Sequence, residues 1–488
     1  MIRLAERTDE QPPERGSQRA SGNGRVQPAK TAYGRVFWLS YLANACTMIA
    51  ISMLVRYPDF VKQLGGSEVQ LGLIVGLGMV GSMMMRVAQG VGIDRYGARR
   101  IWLGSLVLLI GTLAAHLLIR TADGPAIFVL RILFSTSVAG IFGASVTYVS
   151  RTVPPHRMAE IIGTLGSSGF LGIFTGPFIG DWIFSFGTGR EQIVQLFLFC
   201  GALVCVSLIC ALAATIGEPR PGNRRRAPVL ALLRRYNPGF VLLVAIAVGA
   251  GISMPTTYLR PFTEELGIEF VGLFFSVYAV TAFMARITSA RLPSLLGTRP
   301  MILWGLTFLA ASMLLYLLLS AAAALLPETL PWKPRLVYVM LVIPALAAGT
   351  AHALLFPSVV SSASTSFPVR YRGLGTTLVM GFFDMGTLIG APTMGVILYL
   401  ARAAGAPAFP TMFTCVSLAL LLTAAAFWMV TRDARRRSPH VQRSAVSRQR
   451  KVPISGRLPD EQSPAAPVAA CSTGDQLPPV DVPDAHER

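Results

Sequence analysis

A chain of 488 residues with 53% hydrophobic and only 14% charged residues, at a mean hydropathy of +0.56, carries more apolar surface than a soluble domain can bury. Its 43 Lys and Arg against 24 Asp and Glu leave a net charge of +19. The basic residues gather between apolar runs and in the two ends of the chain, so the excess reads as membrane orientation with some contact to anionic lipids, and nucleic acid is excluded as a partner.

A helix rises about 1.5 Å per residue, so about 20 apolar residues cross a hydrocarbon core of about 30 Å. Twelve such spans are predicted, over residues 36–55, 68–89, 101–119, 125–150, 161–184, 193–216, 238–259, 270–290, 301–326, 336–358, 373–400 and 407–431. The fold class is therefore an all-α membrane protein. Ahead of them, residues 1–35 are rich in Arg, Gly, Gln and Pro and read as a disordered cytoplasmic tail with no cleaved signal peptide. In span 1, Tyr41, Asn44 and Thr47 are spaced three apart and form one polar stripe. The span is expected to stop at Arg56, Tyr57, Pro58 and Asp59, where proline and charge meet the outer surface.

Between spans 2 and 3 lies GVGIDRYGARR, residues 90–100, read as a tight cytoplasmic turn with backbone freedom at Gly90, Gly92 and Gly97 and with Asp94, Arg95, Arg99 and Arg100 around it. The order Gly, three residues, Asp-Arg, one residue, Gly, then basic residues resembles the signature loop between helices 2 and 3 of the major facilitator superfamily of secondary transporters. Gly90, Asp94, Arg95, Gly97 and Arg99 are its matching positions, and the resemblance makes them a gating loop. Residues read without the family would be topogenic only.

Span 4 holds Arg131 some six residues inside its outer boundary, where a cation must snorkel to headgroups or face protein or water. An arginine here followed by a glycine-rich stretch resembles another segment of the same superfamily, which implies that it lines the central cavity. Span 5 reads GFLGIFTGPFIGD, with Gly172, Gly176, Pro177 and Gly180 on one face, consistent with close helix packing or a local bend. This run resembles the helix-5 segment of the antiporter branch, from which Asp181 departs by standing in place of a second glycine.

Residues 218–237 are Arg-, Pro- and Gly-rich and divide the chain into six-span units, 36–217 and 238–431. At an offset of 200, Gly72, Leu73, Arg86, Gly97 and Arg99 fall on Gly272, Leu273, Arg286, Gly297 and Arg299, and Ser294 stands opposite Asp94. Six spans return the chain to the same side, so the copies are parallel. Span 10 contains His352, either a structural residue or a cavity residue, and span 11 contains Asp384, a carboxylate near a helix centre and the candidate for proton coupling. Gly386, Gly390 and Pro392 echo the glycine and proline pattern of span 5 with one residue inserted. Residues 432–488 read as a second disordered cytoplasmic tail. Cys46, Cys200, Cys205, Cys210 and Cys415 lie in spans and Cys471 in the tail, so free thiols are expected.

The resemblance covers about residues 36–431 and implies two parallel six-helix halves around a cavity that opens alternately to each side. The expected function is efflux of a small organic molecule driven by protons, with Tyr41, Asn44, Thr47, Arg131 and His352 in the substrate cavity. The alternatives are a symporter taking up a sugar or organic anion, and a transport-inactive receptor or assembly protein on the same scaffold. No nucleophile motif, metal-ligand cluster or cofactor motif lies in the spans, so an enzyme, a metal and a cofactor are not expected. The expected setting is a bacterial-type inner membrane, as a monomer with both termini cytoplasmic.

Overall fold

The computed structural model describes residues 33–153, 157–216, 229–327 and 329–437, and among them there is helix and no strand. The principal helices are α1 (Arg35–Met53), α2 (Glu68–Tyr96), α3 (Ala98–His116), α4 (Pro125–Thr152), α5 (Met158–Phe184), α6 (Arg190–Ala214), α7 (Phe240–Thr257), α8 (Gly272–Thr288), α9 (Thr298–Leu325), α10 (Val342–Thr365), α11 (Arg372–Ala403) and α12 (Ala408–Arg437). Eleven are apolar and long enough to cross a membrane, some with short continuations. The twelfth predicted span is α8, whose 17 residues rise about 25 Å and sit at the low end of what a bilayer requires. The helices up to Asp433 form one compact unit.

Three expectations about boundaries change. Span 1 does not stop at Pro58: a 3₁₀ turn at Leu54–Arg56 hands over to a further helix at Tyr57–Gln63, with Pro58 in its first turn, where a missing N–H costs no hydrogen bond. The expected turn at residues 90–100 is mostly helix. α2 continues through Gly90 and Gly92 to Tyr96, and Gly97 alone leaves helical geometry, at φ +88°. α12 runs on to Arg437, since Arg432 to Arg437 include no proline or glycine to end it. Part of the expected linker is also helical, at Val229–Arg235; its remainder at 217–228, and the tails at 1–32 and 438–488, lie outside the described residues.

The two halves repeat one packing scheme. α1 packs on α5 and α6, and α7 correspondingly on α11. The glycines set these distances: a Cβ at Gly172 or Gly176 would strike the backbone of α1 at Met48 or Ile49, and one at Gly386 would strike the Ile246 carbonyl of α7. The small face of span 5 thus serves close packing inside its own half, and Pro177 sits within a continuous helix. The turn repeats too, with Gly297 at φ +83° as the counterpart of Gly97.

The halves meet along two seams, α2 against α11 and α5 against α8. We call the end where the described chain begins and ends the terminal face, and the end carrying residues 54–67 and 258–271 the distal face. Both seams are tight toward the distal face, where a Cβ on Gly72 would lie 2.5 Å from the Ala391 carbonyl, one on Gly76 2.7 Å from Pro392 and one on Gly272 2.9 Å from the Phe178 ring. Toward the terminal face, Cβ atoms built on Gly163, Gly166, Gly373 and Gly381 would meet nothing within 4 Å. The described conformation is closed at the distal face.

Candidate functional site

The α2–α11 seam contains a buried ion pair. Asp384, 9% exposed, accepts from Arg86 Nε at 2.6 Å and Ser82 Oγ at 2.7 Å through Oδ2, and from Arg86 Nη2 at 3.3 Å through Oδ1. Ser82 and Arg86 are one helical turn apart on α2, so both reach the same carboxylate from the opposite half. The expected span 68–89 puts Arg86 three residues from its end. Instead it lies ten residues before the end of α2, a depth that its partner makes tolerable by compensating its charge.

The α5–α8 seam closes around a second carboxylate. Asp181, at 4% exposure, accepts from Arg56 Nε and Nη2 at 3.0 and 2.6 Å with Oδ1, and from the amides of Val271 and Gly272 at 2.8 and 2.6 Å with Oδ2. Arg56 also donates to the Glu269 carbonyl at 2.6 Å, and its guanidinium lies over the Phe184 ring at 4.6 Å. Arg260 from the second half is paired with Asp59 from the first at 3.0 Å, and donates to the Ile268 carbonyl at 3.1 Å. Further out, Lys62 pairs with Glu264 and Arg402 with Glu68 across the same face, around a surface cavity of about 310 Å³.

Twelve helices in two repeated halves, joined by two seams closed at one face, form a recognisable architecture, and a sequence comparison decides its family. The sequence model of the Major Facilitator Superfamily matches residues 36–332 and 241–470. The chain belongs to the Major Facilitator Superfamily. As a member of this superfamily it is a multi-pass membrane transporter, acting on a small-molecule substrate, and not an enzyme. It is 25% identical to the human MFS-type transporter SLC18B1 over 405 residues, 79% of this chain and 85% of that one. It is 23% identical to the multi-drug resistance efflux pump PmrA of Streptococcus pneumoniae over 310 residues, 59% of this chain and 73% of that one. A variant of the nucleoside transporter NupG superposes with a TM-score of 0.67 at 13% identity, covering 81% of this chain and 99% of that one, a likeness of fold alone.

Within this superfamily member, the expected cavity residues separate. Arg131 lies with its guanidinium over the rings of Tyr57 at 4.4 Å and Phe134 at 4.8 Å, and its Nε and Nη1 are buried with no hydrogen-bond partner. Such ring contacts are worth about 2 kcal/mol when desolvated, less than the several kcal/mol that burying a cation costs. His352 Nδ1 is hydrogen bonded to Tyr278 Oη at 2.6 Å, and the imidazole stacks on Phe356, which stacks on Phe383 beside Asp384. Phe170 of α5 approaches His352 edge-on, so His352 faces the junction of the halves. The polar stripe of α1 is divided: Tyr41 Oη is 3.2 Å from Ser167 Oγ, Thr47 is fully buried with its hydroxyl 2.8 Å from Ser207 Oγ of α6, and the buried Asn44 Oδ1 has no partner. A spacing of three falls short of a full turn, so the stripe rotates from α5 toward α6.

The expected gating positions occupy the end of α2 and the start of α3. Arg95 lies with its guanidinium over the Tyr96 ring at 5.3 Å, and Arg99 is half-buried in the first turn of α3. Asp94 is in the last turn of α2 and Gly90 one turn earlier; their side chains lie outside the described residues. Ser294 turns back to the Arg291 carbonyl of its own segment at 2.7 Å.

Proposed function

We propose that this protein exports a small organic molecule across a bacterial-type inner membrane in exchange for protons, with its terminal face in the cytoplasm. The observation that carries the reading is the Arg86–Asp384 pair, a carboxylate buried in a seam that must reshape when the halves rock. While ionised, Asp384 holds α2 to α11 through Arg86. A proton on Asp384 removes that attraction and leaves a neutral acid beside Ser82, which frees the seam to rearrange. Movement of one proton is thereby linked to movement of the halves.

Arg95, Arg99, Arg100, Arg234, Arg235 and Arg432 near the terminal face support the cytoplasmic orientation. Likeness to an efflux pump supports export. His352, Tyr41, Asn44 and Arg131 are the cavity positions on this reading. On this reading Asp94 closes the terminal face in the opposite state by meeting the start of α11. A second reading, proton-coupled uptake of an organic anion, draws on the unpartnered guanidinium atoms of Arg131.

The test is transport in proteoliposomes of the full chain, with substrate found by ligand-induced thermal shift. Asp384→Asn is expected to abolish accumulation driven by an imposed pH gradient while substrate counterflow persists. Full accumulation by this variant would remove Asp384 from coupling, and absence of counterflow in the unaltered chain would favour a receptor or assembly role. The direction of the gradient that drives accumulation separates exporter from symporter.

A further inference from the structure

The start of α8 lacks a cap of its own. The residue before it is Val271, which has no side-chain acceptor, so the first amides of the helix depend on a partner from elsewhere. Its repeat counterpart is self-sufficient: α2 begins with Ser67 and Gln70, whose side chains satisfy one another's backbone amides in a capping box. At α8 the Leu273 amide donates to Tyr338 Oη of the same half at 3.1 Å, while the Val271 and Gly272 amides are capped from the other half of the molecule, by the Asp181 carboxylate at the distal end of α5.

The surroundings are built for that approach. A Cβ at Gly272 would sit 3.0 Å from Asp181 Oδ2 and 2.9 Å from the Phe178 ring, so glycine is what allows α5 to come this close. Segment 268–272 is clasped three times from buried positions: Arg260 takes the Ile268 carbonyl, Arg56 takes the Glu269 carbonyl, and Asp181 takes the Val271 and Gly272 amides. Arg56 at 1% exposure links Asp181 to Asp59, which in turn holds Arg260. The circuit therefore runs from the first half to the second and back.

We infer that Asp181 is the latch of the distal gate: its carboxylate caps α8 in trans only while α5 and α8 are together, and letting go of those two amides is the event that opens this face. The inference rests on alternating access at the seams and needs neither the proton coupling nor the substrate class proposed above. A carboxylate offers both amides and Arg56 full acceptors at a helix N-terminus, where negative charge is favoured. An asparagine of the same size keeps one good acceptor, drops the charge and leaves Arg56 with only its longer contact to Asp59, at 3.5 Å, a carboxylate that Arg260 already shares. Nothing in α8 itself replaces it.

The experiment is hydrogen exchange on the full chain in lipid nanodiscs, following the peptide that covers residues 266–275. Asp181→Asn is expected to speed exchange in this peptide by at least about tenfold, while peptides from the terminal-face ends of the helices keep their rates. Gly272→Ala, which pushes the carboxylate away by steric contact and leaves its charge in place, should do the same, and it carries the test if Asp181→Asn does not yield folded protein. Lys62→Gln, which removes an exposed pair on the same face, should leave the peptide unchanged. Unchanged exchange in Asp181→Asn, or a rise spread over all helices, would overturn the latch. Proton-driven accumulation by the unaltered chain is measured in parallel; its absence refutes the coupled-exporter reading and leaves the exchange result to decide the latch.

Discussion

The two seams solve the same mechanical problem with carboxylates at different depths. In the α2–α11 seam the charge is well inside the helices, where Asp384 is compensated by one arginine and one serine from α2. In the α5–α8 seam the carboxylate is at the helix end, where Asp181 is compensated by Arg56 and two backbone amides. Depth decides what each can do. A charge in the packed depth of a seam is relieved by a proton or by its partner, whereas one at the distal face meets water as soon as the helices part. A repeated fold need not repeat its chemistry: α2 caps itself and carries Arg86, while α8 is capped from outside and leaves its counterpart, Arg286, at an exposed position.

Breaking the deep pair should give the largest effect on stability. Removing one partner of a buried pair costs about 3–5 kcal/mol, an upper bound for Arg86 since its side chain is one-quarter exposed. Arg86→Met is thus expected to unfold at a markedly lower temperature, while Arg86→Met with Asp384→Leu recovers most of the loss. Thermal unfolding of the three purified proteins checks this, and a double variant no better than the single would show that the pair is not acting as a unit.

A methyl group wedged into the tight part of the seam comes next. Gly76→Ala places a Cβ 2.7 Å from Pro392 and 2.9 Å from the Leu388 carbonyl, an overpacking worth about 1–3 kcal/mol. Gly381→Ala, with nothing within 4 Å, should instead be neutral or raise stability by about 0.5–1 kcal/mol. Equal effects on the unfolding midpoint would mean that the two ends of α11 are packed alike.

The terminal-face gate is expected to be asymmetric in the same sense as the seams. A carboxylate at a helix N-terminus contributes up to about 2 kcal/mol when partly buried, so Asp94→Asn should slow transport by about an order of magnitude. Ser294→Ala, which removes a hydroxyl that turns back to its own segment, should leave the rate within about twofold, since such surface changes stay within about 0.5 kcal/mol. Initial rates in proteoliposomes compare the two, and matching losses would make the loop structural.

The smallest effect belongs to the exposed pair. Lys62 and Glu264 are 66% and 39% exposed at their side chains, and such pairs contribute about 0–1 kcal/mol. Lys62→Gln should shift the unfolding midpoint by no more than a degree or two, an outcome that sets the exposed rim of the distal face apart from the buried clasp beneath it.

Length and apolarity alone determined the helical, membrane-spanning nature of this chain and eleven of its crossing helices, because the bilayer demands about 20 apolar residues per crossing and leaves little else to choose. The internal repeat was equally legible, as Gly97 and Gly297 share a left-handed turn that only glycine enters cheaply. Charged residues near span ends were not legible in this way. Arg86 read only as a repeated position near the end of span 2 and Arg56 as a surface stop, since the hydropathy of a window records where a charge stands and not whether it is paired. Their partners are Asp384 and Asp181, 298 and 125 residues away. Asp181 looked like a departure from a glycine pattern, and only the approach of α5 to α8 shows what its carboxylate caps. Pairing across a seam depends on which helices touch and at what depth, and that is decided by close packing of the two halves, which no local stretch of sequence contains.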